Sequence, residues 1–174
     1  MALELNGTTG VSLVQDGVIT DANLPAGSVL QVVQAYKNDA FTTTSNSETD
    51  ITGLSVTITP SSASSKILVM TTVHWSSASS SNGQLRVRRN GTLIANGTSG
   101  TVGNGFSMAN QGVTDSRLVM PSNIVFLDAP STTSATTYKV AMDQDGSVLF
   151  AVNRRANNTE FGMSSHITVM EIAG

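Results

Sequence analysis

The sequence predicts an all-β protein, an antiparallel β-sandwich or jelly-roll head preceded by a short β-rich attachment arm. Short runs of β-branched residues alternate with polar residues, and turn residues separate these runs about every 8–12 positions. Apolar residues nowhere keep the 3.6-residue period of a helix. Only 12% of the residues are charged, about half the usual ~25%, and Ser and Thr take their place, which favours strands and turns over helices.

The first 27 residues are predicted to form the attachment arm. Short apolar pieces are separated there by turn signals such as Asn6-Gly7 and Asp16-Gly17, and three strands this short cannot form a core of their own. Burying one large apolar side chain stabilises by about 1.5–3 kcal/mol, so we expect the arm to be covered by other chains. The side chains predicted to dock or oligomerise are Leu3, Leu5, Val11, Leu13, Val18, Ile19 and Leu24.

Residues 28–174 are predicted to form the sandwich head. The predicted strands cover 28–37, 51–60, 66–75, 84–90, 92–95, 123–128, 136–142, 147–153 and 166–172. In the third of them, Leu68 and Met70 face away from Ile67 and Val69, which is typical of a strand that is buried on both sides. Asn90-Gly91 is the strongest hairpin signal in the chain, and residues 143–146 are expected to form a second hairpin turn.

Two Gly/Asn-rich segments, 96–117 and 153–161, lack the regular apolar spacing of a core strand. Long loops in compact domains usually have a function or are ordered by a partner. We therefore expect both segments at subunit boundaries or on the outward tip, and not in the core of the head.

Composition argues against several classes of protein. The net charge of −3 is unlike the basic balance of proteins that follow a phosphate backbone, so nucleic acid is not an expected partner. The chain has no cysteine, which rules out a cysteine-based metal site. Its apolar runs are too short to insert into a membrane. The N-terminus has neither the basic start nor the apolar stretch of a signal peptide.

No residue pattern predicts catalysis, so we expect the protein not to be an enzyme and to need no cofactor or metal. Ser107 lies in a segment that lacks the second glycine of a nucleophile elbow. Asp143 opens a turn similar to a calcium loop, but Arg154 occupies the twelfth position, where a glutamate is required. His74 and His166 are expected to be partly buried structural residues, although three copies of one histidine could meet on a trimer axis.

Four arginines are candidates for contact at the outward surface: Arg86, Arg88, Arg154 and Arg155. Together with Arg89 they could form a basic patch for an anionic glycan of the host surface. The alternative is that they form solvated or inter-subunit salt bridges, which is the favoured interpretation because such pairs are common on protein surfaces.

Three stretches of the chain resemble known proteins. The opening segment from Met1 to Val11 resembles the N-terminal segments of tail-fibre and other virion proteins in phages of aquatic bacteria. Residues 51–69 are similar to a recurrent stretch in the head domains of these proteins, and so is the ending from Val169 to Gly174. The resemblance implies a homotrimer with a jelly-roll-like head, located in the virion.

Three functions remain open at this point. The first is a fibre-type appendage, in which the arm docks on other virion proteins of the tail or capsid and the head projects outward, where its loops could touch the host. The second is a decoration (cement) trimer that stabilises the capsid shell. The third is a carbohydrate-active or lectin-like domain, although four glutamates in the chain give little support for the carboxylate pair that a glycosidase needs.

Overall fold

The fold consists of β-strands in the part of the chain that the structure describes. The structure is a computed structural model, and it describes residues 24–78, 82–98, 104–110 and 118–174. No helix forms within these ranges, as predicted. The strands are β1 (Val29–Lys37), β2 (Phe41–Thr43), β3 (Thr49–Ile58), β4 (Lys66–Ser77), β5 (Asn82–Arg89), β6 (Thr92–Ile94), β7 (Ser107–Asn110), β8 (Met120–Asp128), β9 (Thr136–Gln144), β10 (Phe150–Val152) and β11 (Ser165–Ile172).

The strands form two antiparallel sheets. Sheet A has the order β1-β11-β4-β8, and the short strands β10 and β2 extend it beside the end of β4. Sheet B has the order β3-β9-β5, and β6 and β7 both pair with the far side of β5. The chain crosses between the sheets so that its first long strand pairs with its last, which is the strand order of a jelly roll. The predicted fold class is confirmed.

The predicted hairpin at Asn90-Gly91 is also confirmed. β5 and β6 are joined there, and Arg89 pairs with Thr92. Asn90 has a φ of 47° and Gly91 a φ of 85°, so both central residues of the turn lie in the left-handed region. A turn of this kind matches the twist of the two strands, and Asn and Gly adopt it at the lowest cost.

The interior is organised around a stacked aromatic pair. Trp75 of β4 and Phe150 of β10 are fully buried, with ring centroids 5.3 Å apart and planes inclined by 17°. The Trp75 Nε1–H donates to Ser122 Oγ of β8 at 2.8 Å. Opposite the pair, Gly83 of β5 lies so close that a Cβ there would be 2.2 Å from Phe150 Cζ. Only glycine permits this approach of the two sheets.

A hydrogen-bonded carboxylate joins the two sheets. Asp128, the last residue of β8, accepts hydrogen bonds from Arg89 Nη1 at 2.8 and 2.9 Å and from Tyr138 Oη at 2.6 Å. Burial raises the pKa of the Tyr138 hydroxyl, and its hydrogen bond to Asp128 raises it further. The phenol therefore stays protonated and remains a donor. Since β8 belongs to sheet A and β5 and β9 to sheet B, the cluster fixes the sheets relative to each other.

A second buried carboxylate fixes the C-terminal strand. Glu171 of β11 is fully buried. It accepts hydrogen bonds from Gln31 Nε2 at 2.6 Å and from the backbone N–H and hydroxyl of Ser61 at 2.7 and 2.8 Å. Burial by itself would raise the pKa of Glu171, but the hydrogen bonds from Gln31 and Ser61 outweigh it, and the net pKa is lowered. The ionised carboxylate is therefore the form that the fold stabilises.

Replacing Glu171 by glutamine is expected to lower the free energy of unfolding by about 1–3 kcal/mol at neutral pH, because a charged acceptor of three hydrogen bonds is lost. The folded-state pKa lies below the unfolded value of about 4.3. The carboxylate's contribution is therefore complete above that value and is lost as the pH falls through the folded-state pKa. Urea denaturation of both proteins at neutral pH and at roughly pH 3 tests this, with exposed Glu160→Gln as the matched control. A difference that persisted unchanged in acid would contradict the assignment.

The structure corrects three details of the predicted head. Segment 96–117 contains a strand, β7, which pairs with β5; an edge strand is held by backbone hydrogen bonds and needs no regular apolar alternation. Residues 143–146 do not close a hairpin, since β9 lies in sheet B and β10 in sheet A. Turn residues predict where a chain turns but not which sheet the next strand joins. In segment 153–161, Asn153 and Ala156 are buried, and Asn153 Nδ2 donates to the carbonyls of Lys37 and Asp39.

Candidate interaction surfaces

The outer face of sheet B is charged, and its charges are paired within the chain. Arg86 and Arg88 point outward from β5, as predicted, and both bind the Glu48 carboxylate, with Arg86 Nη1 at 2.7 Å from Glu48 Oε2. Arg86 Nη2 also lies 2.7 Å from Asp143 Oδ2. The hydrogen bond from Arg88 is the main cause that lowers the pKa of Glu48, helped by Arg86. An anionic ligand at these arginines would have to compete with two carboxylates.

Arg154 and Arg155 lie elsewhere, in the segment after β10 of sheet A. Arg154 Nη1 donates to the carbonyls of Arg155 and Asn158, both at 3.2 Å. The guanidinium of Arg155 stacks over the Phe161 ring at 4.3 Å from its centroid. Arg154 thus shapes its own loop, and Arg155 has an aromatic partner. Two of the four predicted surface arginines lie on sheet B and two in the segment after β10, and their contacts are mainly with groups of the chain itself.

A small polar cavity of about 200 Å³ lies next to the ion pairs of sheet B. It is lined by Asn46, Asn82, Gln84, Asp143, Gln144 and Asp145. Both carboxylates are engaged, Asp143 by Arg86 and Asp145 by the backbone and side-chain amides of Asn82. Gln144 Nε2 donates to the carbonyls of Ser45 and Val148, but its buried Oε1 has no hydrogen-bond partner.

The outer face of sheet A differs from that of sheet B because its centre carries no Asp, Glu, Lys or Arg. Strand register places its side chains in three rows that run across β1, β11, β4 and β8. The first row is Val32, Met170, Leu68 and Leu127, the second is Gln34, Thr168, Met70 and Val125, and the third is Tyr36, His166, Thr72 and Asn123. We call these three rows the apolar face.

Most of the apolar face is exposed in the described part of the chain, although Thr168 is buried and Gln34 donates to its hydroxyl. Val125 is 70% exposed, Tyr36 62%, and Val32 and Leu127 54% each, while Leu68 and Met70 are half-buried. The alternation in β4 predicts a strand that is buried on both sides. Among the described residues, only the side with Ile67 and Val69 is fully covered, and the side with Leu68 and Met70 is not. Monomeric proteins seldom leave a contiguous apolar patch of this kind in water, so such a patch usually marks an interaction site.

The two histidines belong to the apolar face or its border. His166 pairs with Thr72 in the third row, and His74 lies two residues further along β4, where its Nδ1 is 2.7 Å from the Ser164 carbonyl oxygen. Across the ranges that the structure describes, no group of three or more His, Asp or Glu side chains could hold a metal ion.

Of the arm residues predicted to dock on other chains, Leu24 is described and is exposed. Leu3, Leu5, Val11, Leu13, Val18 and Ile19 lie outside the described residues. The chain leaves the arm next to the C-terminus, where Gly27 N–H donates to the Ala173 carbonyl at 2.8 Å. The arm therefore enters the head at one end of sheet A, beside the first row of the apolar face.

Sequence reasoning identified Arg86, Arg88 and the two-sided pattern of β4, but it missed the residues that complete each surface. Glu48 lies 38 residues before Arg86, and nothing in its local sequence marks it as the partner. The apolar face combines side chains of four strands, and the sequence does not show which residues of these strands lie side by side. The alternation of Val32 with Gln34 in β1 was the one local signal that could have extended it.

Comparisons with known proteins add no assignment. No protein-family model matches the chain, and no curated protein matches it significantly. In the described part of the chain, no helix has the length and apolar character needed to cross a membrane.

Proposed function

We propose that the chain is a structural protein of a bacteriophage virion, a homotrimeric fibre-type appendage. In this proposal the arm docks on other virion proteins and the head projects outward, where its loops can meet the host surface. The jelly roll supports it, since viral capsid proteins use this architecture repeatedly. Because a fold alone does not determine function, the proposal depends mainly on a surface feature, the apolar face.

The apolar face carries the proposal because an exposed surface of this kind favours a protein partner. Its first row, Val32-Met170-Leu68-Leu127, offers no polar group that would recognise a small ligand. A sheet face of mixed but largely apolar composition is suited to packing against another protein surface. The polar cavity beside the ion pairs of sheet B, by contrast, has Asp143 and Asp145 engaged by Arg86 and Asn82, which supports a structural role.

Purified particles of the phage that encodes the chain provide the test. Antibodies raised against the recombinant protein should label the particles at a defined position, and quantitative mass spectrometry should give a fixed copy number. A few tens of copies or fewer, at the tail, are expected for an appendage. Hundreds of copies over the shell would instead support a capsid decoration trimer. Absence of the chain from intact particles would refute both forms of the proposal.

A second candidate function is carbohydrate binding, and one observation favours it. Amide and carboxylate side chains are common donors and acceptors for sugar hydroxyls, and the unpartnered Gln144 Oε1 borders the cavity that they line. Screening the protein on a glycan array tests this function. Asn46→Ala should then weaken binding of any sugar found, and Asn38→Ala, exposed but outside the cavity, should not. If no glycan binds the unaltered protein, this candidate fails.

A further inference from the structure

The apolar face is a wide surface without a partner among the described residues, and its size limits what can cover it. The face spans four strands and three rows. With an interstrand spacing of about 4.8 Å and a row spacing of about 6.7 Å, its area is on the order of 400 Å². Seven of its twelve side chains are apolar, Tyr36 included, and the other five are Gln34, Thr168, His166, Thr72 and Asn123. This mixture is close to that of protein–protein interfaces, where somewhat more than half of the area is apolar. An interface that is stable on its own needs about 800 Å² from each partner.

We infer that the apolar face is covered by further copies of this chain, whose own apolar faces point with it toward the three-fold axis of the proposed homotrimer. This inference rests on the proposed structural role and names the surface through which the copies associate. The faces of two neighbouring copies together can cover all four strands, whereas a single extended segment covers a width of only about one strand, ~5 Å.

Charge complementarity also favours a copy of the same chain. Two identical surfaces meet without repulsion only when they are neutral or self-complementary. None of the side chains in the three rows is Asp, Glu, Lys or Arg. The outer face of sheet B carries Glu48, Asp143, Arg86 and Arg88, already paired within the chain, so burying that face against a copy would cost the desolvation of these charges. Sheet A is thus the face that can meet itself.

The border of the apolar face can supply the remaining interface area. Val29 of β1 is 52% exposed and lies opposite Ile172, which extends the first row toward the start of the head. At the other end, His74 pairs with Pro121, one row beyond the third. The enlarged surface is apolar at the end near Val29 and polar at the end near His74.

A single introduced cysteine tests the inference, because the chain has none of its own. Val125→Cys places a thiol on the apolar face, and Ser55→Cys places the control on the outer surface of sheet B, where Ser55 is exposed and pairs with Lys139. The full-length variants are treated with a maleimide from nanomolar to tens of micromolar protein. The mass in solution is measured at the same concentrations by sedimentation.

If copies of the chain cover the face, the thiol at position 125 reacts at least an order of magnitude more slowly than the control thiol. This protection is expected at every protein concentration at which sedimentation gives the mass of an oligomer. Leu127→Glu, which changes an exposed residue and should leave the fold intact, then gives the mass of one chain and removes the protection. Its matched control Ser55→Glu keeps the oligomer.

Two outcomes overturn the inference. Slow reaction in a protein with the mass of one chain, independent of concentration, means that the chain's own arm covers the face. Fast reaction at every concentration, with the mass of one chain or of an oligomer, means that copies associate elsewhere or not at all. Either result leaves the virion role intact if the chain is still found in particles, so the two proposals fail separately.

Discussion

Replacing Phe150 by alanine is expected to lower the free energy of unfolding by about 3–5 kcal/mol, the usual cost of deleting a buried aromatic ring. Phe150 is fully buried and stacks on Trp75 at 5.3 Å. Gly83 lies directly against the ring, so neither neighbour can fill the space that alanine leaves. β10 is three residues long and lies between β2 and β4, so Phe150 supplies much of its side-chain packing, together with Val152. Chemical denaturation followed by Trp75 fluorescence measures the loss.

Phe161→Ala is the matched control for this substitution. Phe161 is 52% exposed, and its ring contact is the Arg155 guanidinium, which is worth about 0.5–1 kcal/mol at an exposed site.

The close approach at Gly83 allows a second check. Gly83→Ala should be severely destabilising in the native chain and much less so together with Phe150→Ala, because the ring that the new Cβ would meet is gone. Equal effects of Phe150→Ala and Phe161→Ala would contradict the account of the core.

Asp128→Ala is expected to destabilise the protein by about 2–4 kcal/mol. The substitution leaves the buried Tyr138 hydroxyl without its acceptor, which costs about 1–3 kcal/mol, and it leaves Arg89 without its carboxylate. Loss of one partner of a buried ion pair costs about 3–5 kcal/mol. The Arg89 side chain is 27% exposed, so solvent recovers part of that cost. Thermal denaturation should show one cooperative transition at a lower temperature.

Asp50→Ala is the control for the Asp128 substitution. Asp50 is also paired with a cation, Lys139, but its side chain is 54% exposed, and exposed pairs contribute about 0–1 kcal/mol. Asp128→Ala combined with Tyr138→Phe should recover part of the lost stability, since the hydroxyl that lacked an acceptor is removed as well. If the double variant were no more stable than Asp128→Ala, the hydroxyl would not be the source of the cost.

The fold class followed from the sequence because its signals are local. Alternation in β3 and β11 and the Asn90-Gly91 turn each need only a few neighbouring residues to be recognised. The placement of β10 in sheet A was not predictable, since it depends on Phe150 meeting Trp75, 75 positions earlier in the chain. Strand β7 was missed for a related reason, since its signal is a backbone partner in β5 and not a side-chain pattern.

The candidate surfaces were predictable only in part, for the same physical reason. Arg86 and Arg88 alternate with Leu85 and Val87, so their outward direction could be predicted, but their partner Glu48 precedes β3. The apolar face could be predicted only from the register of four strands. Three of them, β1, β11 and β4, meet only when the two ends of the chain come together. Leu68 and Met70 gave a correct indication that β4 has two apolar sides, without showing what covers the outer one.

Cryo-electron microscopy of the intact particle tests the central claim most directly. The account predicts density for three jelly-roll heads around an axis, each with the outer face of its sheet A packed against neighbouring copies and its N-terminal arm directed toward the particle. Heads that occurred singly, with Val125 and Leu127 facing solvent, would contradict it, and so would particles without any density for the chain.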